Sequence, residues 1–150
     1  MNWKTIVIIS SIAVYLYLLI TEWVDLAPWN DVSASTPSQK LSGTLVNAVP
    51  FALLIAAFLF DLRWLKLVGV GLFVVWLGVH IAWWWVPYFG GTSEAHLETY
   101  NRYFGKTYKF LPARGDNPVP NAHYVTMQVL VLFNSILAFI ALVSGQSQQQ

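Results

Sequence analysis

The sequence contains no cysteine. That absence removes disulfides, thiolate nucleophiles, thiolate metal sites and CxxC redox chemistry together. It also removes the paired cysteines on which four-helix membrane thiol oxidoreductases depend. Charge is nearly as scarce. Asp, Glu, Lys and Arg make up 10% of the 150 residues, against about 25% in soluble domains. A chain this short with so few charges cannot cover a soluble surface, so it reads as a membrane protein built as one compact unit. The net charge of +1 leaves no electrostatic footprint for nucleic acid. Glycine-rich phosphate loops and a Ser-His-Asp signature are missing, and Gly90-Gly91 reads as a turn. Neither HxxxH nor HExxH occurs, so no local spacing marks a metal site.

What the chain does have is apolar length. Residues 4–23, 42–60, 65–86 and 123–143 form runs close to the ~20 residues that cross a hydrocarbon core of ~30 Å. The expected fold is an all-α integral membrane protein. Residues 1–144 would form an antiparallel four-helix transmembrane bundle with a partly helical extramembrane loop at 88–122, and 145–150 a disordered polar tail. The first run follows Lys4 and carries no charge before Glu22, and no small-residue cut site follows closely, so it reads as an uncleaved signal anchor. Ser42 is the expected N-cap of the second run, which contains Pro50 with Asn47 three residues before it. In the third run Gly69, Gly71 and Gly78 should permit close helix approach, Gly71 and Gly78 lying near one face. Within 88–122, Ser93 to Phe104 reads as a short helix, with Leu97, Tyr100 and Phe104 on one face and Glu98 and Arg102 as an i,i+4 pair. Gly105 would end it, and it would lie along the membrane surface. The loop's many tyrosines and phenylalanines predict that it folds against the helix mouth or sits among lipid headgroups.

Basic residues divide unevenly. Lys4, Arg63 and Lys66 fall on the side of the termini, while Lys40, Arg102, Lys106, Lys109 and Arg114 fall in the two long loops. The tight 61–66 connection and the anchor character of the first run outweigh the raw count. The expected location is the plasma (inner) membrane as a multi-pass protein, with cytoplasmic termini and with loops 25–40 and 88–122 extracytoplasmic.

That topology gathers polar groups at the loop end. Glu22 and Asp25 close the first helix, Thr44 and Asn47 open the second, His80 lies below Trp83-Trp84-Trp85, and His123, Thr126 and Gln128 open the fourth. Ionisable residues inside membranes are costly and usually face the protein interior. His80 therefore admits two readings: an acid/base group or ligand, or an interhelical hydrogen-bonding histidine. His96 reads as solvated. Glu22 at a helix C-terminus opposes the helix dipole, which is explained equally by a partner such as Arg102 or Arg114 and by a helix end that faces water. The expected ligand-binding set is Glu22, Asn47, His80, Trp84 and His123, with His80 as the catalytic candidate. A metal, if held, would use Glu22, His80 and His123, and a haem would use His80 and His123. Three function classes follow. The first is a protein that binds a lipophilic molecule or a membrane partner at the mouth. The second is an enzyme acting on a lipid or quinone-like substrate, and the third is a transporter or channel subunit acting as an oligomer, with copies of itself or with a partner membrane protein.

Overall fold

A computed structural model describes residues 2–144; the tail expected at 145–150 lies outside them. Five helices make up the described chain: α1 (Trp3–Trp23), α2 (Pro37–Leu59), α3 (Arg63–Gly90), α4 (Glu94–Phe104) and α5 (Ala122–Ser144). All but α4 are long and apolar enough to cross a membrane. The shortest of these four has 21 residues, about 30 Å at ~1.5 Å per residue. The molecule is thus an all-α membrane protein, a four-helix transmembrane bundle with one further helix in its longest connection.

The four long helices pack as a ring, α1 on α2, α2 on α3, α3 on α5 and α5 on α1, without diagonal pairs. Inside the ring, Phe51 of α2 meets Tyr15 of α1 at 5.4 Å and Phe73 of α3 at 4.9 Å between ring centroids. Leu54, Val7, Met127 and Val131 complete this core. The outer faces are apolar too: Ile9, Leu16, Val46, Val75, Phe133 and Phe139 are exposed. Helices that are apolar all round belong in lipid. Near the termini the core carries one polar knot. Ser10 Oγ donates to Asn134 Oδ1, and Asn134 Nδ2 donates to Ser11 Oγ at 3.0 Å. Such interhelical bonds contribute roughly 0.6–2 kcal/mol in membranes and pin α1 to α5.

Two helix boundaries differ from expectation. Helix α2 starts at Pro37 rather than at residue 42, and its N-cap is Thr36 rather than Ser42. Thr36 accepts from Gln39 N while Gln39 Oε1 accepts from Thr36 N, a capping box with proline at the first helical position. A Ser/Thr/Pro stretch that reads as loop thus starts a helix. Helix α3 runs past Pro87 to Gly90 instead of stopping at 86. Pro87 removes its own N–H from the helix and crowds the Trp83 carbonyl, yet the helix continues. The extra turn is held by Asn117 Nδ2 donating to Tyr88 O and by Tyr88 Oη donating to Pro112 O. Gly91 then ends the helix at φ 82°, a conformation open to glycine. Helix α4 runs from Glu94 to Phe104 with Ser93 as N-cap and Gly105 as C-cap, as the sequence suggests. The α2–α3 turn passes through Asp61 at φ 57°, and Asp61 pairs with Lys66.

Of the three α3 glycines expected to admit a neighbour, Gly69 does and the Gly71–Gly78 face does not. A Cβ at Gly71 or Gly78 would meet nothing within 4 Å, whereas one at Gly69 would stand 3.1 Å from Leu54 Cδ1 and 3.3 Å from Leu54 Cα. Gly69 is the position where α2 and α3 approach closely. Gly69→Leu should cost about 1–3 kcal/mol through overpacking and lower the thermal midpoint in detergent, while Gly71→Leu should leave it unchanged. Equal effects at the two positions would contradict this packing.

Candidate functional site

The mouth of the bundle is closed by the α3–α5 connection. Helix α4 turns Tyr100 and Phe104 inward. Tyr100 Oη donates to Val119 O at 3.0 Å and accepts from Val119 N at 3.2 Å, and burial raises its pKa above the ordinary tyrosine value, so it remains a donor. Phe104 lies edge-on to Trp84 of α3 at 4.9 Å and to Tyr124 of α5 at 5.4 Å. Lys109 caps the end of α4, donating to the carbonyls of Phe104, Gly105 and Thr107. The segment also ties to the first loop and to the start of α2: Tyr108 N donates to Pro28 O at 2.6 Å, and Gln39 Nε2 donates to Tyr103 Oη at 3.1 Å. Tyr100, Tyr103 and Phe104 thus build a lid folded onto the helix mouth, while Phe89, Tyr108 and Phe110 stay exposed.

Beneath the lid lie two cavities that share Phe104 and Tyr124 as walls. The larger, about 240 Å³, is lined by Val79, His80, Trp83, Trp84, Phe104 and Tyr124. Val79 and Trp83 are exposed, so it opens on the outer face of α3. The His80 ring packs on Trp76 at 4.0 Å and on Tyr124 at 6.2 Å. Its backbone carbonyl accepts from Gln128 Nε2 at 3.2 Å. Its imidazole nitrogens have no hydrogen-bond partner among the described residues, yet neither is fully enclosed without one. His80 is therefore a half-buried polar group facing an otherwise aromatic and aliphatic space.

The smaller cavity, about 90 Å³, is polar, and includes Glu22, Asn30, Asp31, Thr107, Asn121 and His123 in its lining. His123 is fixed by a chain of hydrogen bonds. Trp29 Nε1 donates to Tyr17 Oη at 3.1 Å, and Tyr17 Oη lies 3.0 Å from His123 Nδ1. Asn30 closes the end of α1, donating to Thr21 O and Val24 O and accepting from Leu26 N. Asn121 Oδ1 accepts from Tyr124 N and caps α5. Asp31, in the first loop, is held below the usual carboxylate range by the hydroxyl and amide of Ser33, so it is ionised at neutral pH.

The expected five-residue set is therefore divided. Glu22 and His123 line the polar cavity, His80 and Trp84 line the aromatic one, and Asn47 lines neither. Asn47 instead accepts from Trp76 Nε1 at 3.1 Å, which steadies the ring on which His80 rests. Arg102 and Arg114 do not pair with Glu22: Arg102 lies over Tyr103, and Arg114 over Tyr88 and Phe89. No ion pair joins Glu98 to Arg102; Lys66–Asp61 is the one salt bridge among the described residues. Glu22 packs against Gly43, where a Cβ would stand 2.7 Å from its Oε1. His96 is not simply solvated, since its ring packs on Trp83 at 4.6 Å. No three His, Asp or Glu side chains assemble as a metal-holding group among the described residues. Tyr124 packs against both His80 and His123, a position unfavourable to a haem held by both. Tyr17, Trp29, Asn30 and Tyr124 escape a sequence reading, because aromatic residues near a helix end read as interface anchors and Asn30-Asp31 as a turn.

No family model, curated protein or solved structure matches the chain.

Phe104 is the lid's contact with both α3 and α5. Phe104→Ala should accelerate amide hydrogen exchange throughout α4 while leaving the middle of α5 protected. Unchanged exchange in α4 would show that the lid is held by other contacts.

Proposed function

We propose that this protein binds a lipophilic molecule in the aromatic cavity, with His80 as its polar contact. One observation carries the reading: an imidazole without a hydrogen-bond partner among the described residues, half-buried on Trp76 and Tyr124 and facing a space walled by Trp83, Trp84 and Phe104. Apolar pockets with one or two placed polar groups are the usual form of small-molecule sites. At about 240 Å³ the space falls just below the ~300–1,000 Å³ of drug-sized sites. It suits a one- or two-ring head carrying a hydroxyl or carbonyl, entering from the membrane past Val79 and Trp83. Following the weight given to Arg63 and Lys66 in the tight turn, the mouth faces away from the cytoplasm in the plasma membrane.

A catalytic reading fits His123 better than His80. An acid/base group needs a partner that orients it. Tyr17 serves His123 in that way, whereas His80 is held by ring packing alone. A transport reading gains little, because among the described residues the buried core toward the termini is apolar apart from the Ser10–Ser11–Asn134 knot and Ser135, whose hydroxyl is spent on Val131 O.

The test compares 1-naphthol with naphthalene, followed by quenching of tryptophan fluorescence in nonionic micelles. Native protein should bind naphthol more tightly. His80→Ala should weaken naphthol by about ten-fold, the effect of one hydrogen bond of ~1.4 kcal/mol, and leave naphthalene unaffected. Equal affinity of native protein for the two probes, or unaltered naphthol binding by His80→Ala, would remove His80 from the site.

A further inference from the structure

The polar cavity takes no part in the reading above and has its own chemistry. Its charged lining consists of Glu22 and Asp31, and neither lysine nor arginine lines it. Glu22 forms no hydrogen bond and no close ion pair with any described residue, although the charge of Lys40 acts on it from outside the lining; it rests where Gly43 has no side chain. Acidity alone would not define a ligand. His123 supplies a second, independent observation. It is 7% exposed, its Nδ1 is engaged by Tyr17, and its Nε2 has no partner among the described residues.

The tautomer of His123 is open to choice by what enters. Tyr17 accepts from Trp29 and has two acceptors for its own proton, His123 Nδ1 at 3.0 Å and His123 O at 3.3 Å. When that proton goes to the carbonyl, Nδ1–H donates to Tyr17 and Nε2 is left as an acceptor. The cavity then presents a carboxylate and an imidazole acceptor, with the rings of Tyr103, Phe104 and Tyr124 completing its wall. Carboxylate, neutral acceptor and aromatic rings together complement a positive charge that carries N–H donors. A volume of about 90 Å³ corresponds to roughly three waters at ~30 Å³ each, which fits an ammonium group bearing a short chain.

We propose that this cavity is a second binding site, specific for a small primary ammonium, with Glu22 as counter-ion and His123 Nε2 as neutral acceptor. The site does not require the aromatic cavity to be filled, and it stands or falls separately from the naphthol experiment.

The probe is n-propylammonium, titrated at neutral pH into ¹⁵N-histidine-labelled protein in nonionic micelles while the His123 ring resonances are followed. Saturable shifts are expected. Neutral n-propanol, and tetramethylammonium, which has charge but no N–H, should bind about ten-fold more weakly or less. Glu22→Gln, checked for native helicity and elution, should weaken n-propylammonium by a similar factor, and His80→Ala should not. The proposal is overturned if n-propylammonium does not saturate, or if n-propanol or tetramethylammonium binds as well. Undiminished binding by folded Glu22→Gln would also overturn it. Should Glu22→Gln fail to fold, the three-probe comparison on native protein decides alone.

Discussion

Phe104 touches Trp84 of α3 and Tyr124 of α5 from above, and the form of the mouth follows from that contact. Without it α4 would be held by Tyr100 on the Val119 backbone, by Tyr103 on Gln39 and by His96 on Trp83, and none of those contacts reaches α5. With it, the ring becomes a partition. One side of Phe104 and Tyr124 bounds an aromatic space with His80, and the other bounds a polar space with Glu22 and His123. Edge-to-face aromatic pairs contribute ~0.5–1.5 kcal/mol beyond the area they bury, and here two such pairs meet on one side chain.

The bundle supports this arrangement by being plain elsewhere. Its interior is Phe51, Leu54, Phe73 and Met127 packed to full burial, with α2 drawn onto α3 at Gly69 and α1 tied to α5 at Asn134. Polar chemistry is concentrated at the lidded end. Every buried side-chain nitrogen or oxygen among the described residues has a partner, so the groups left over, the His80 ring nitrogens, His123 Nε2 and the Glu22 carboxylate, face open space.

The number and placement of the spans are legible in the sequence because apolar length is a one-dimensional property. The lid helix is legible too, since Ser93, Gly105 and the Leu97–Tyr100–Phe104 spacing are local signals. What depends on contacts between segments is not. Thr36-Pro37 looks like a turn until Gln39 is seen to close the capping box. Gly69 and Gly71 differ by two residues, yet only the position of Leu54 tells which one packs. The gathering of Glu22, His80, Trp84 and His123 at one end follows from topology alone. Their division into two cavities does not, because it is made by Phe104 from a distant helix. Arg102 and Arg114 look like partners for Glu22 in sequence, but aromatic faces claim both.

Both cavities depend on the lid being seated in the mouth, with the side chain at 104 between α3 and α5. The most direct measurement places p-benzoylphenylalanine at position 104 of the full chain in lipid bilayers, with photo-crosslinks mapped by mass spectrometry. The account predicts intramolecular crosslinks to the segments around Trp84 and Tyr124. Crosslinks predominantly to lipid, or to no protein segment, would show that the lid lies away from the bundle and that the two cavities do not exist as described.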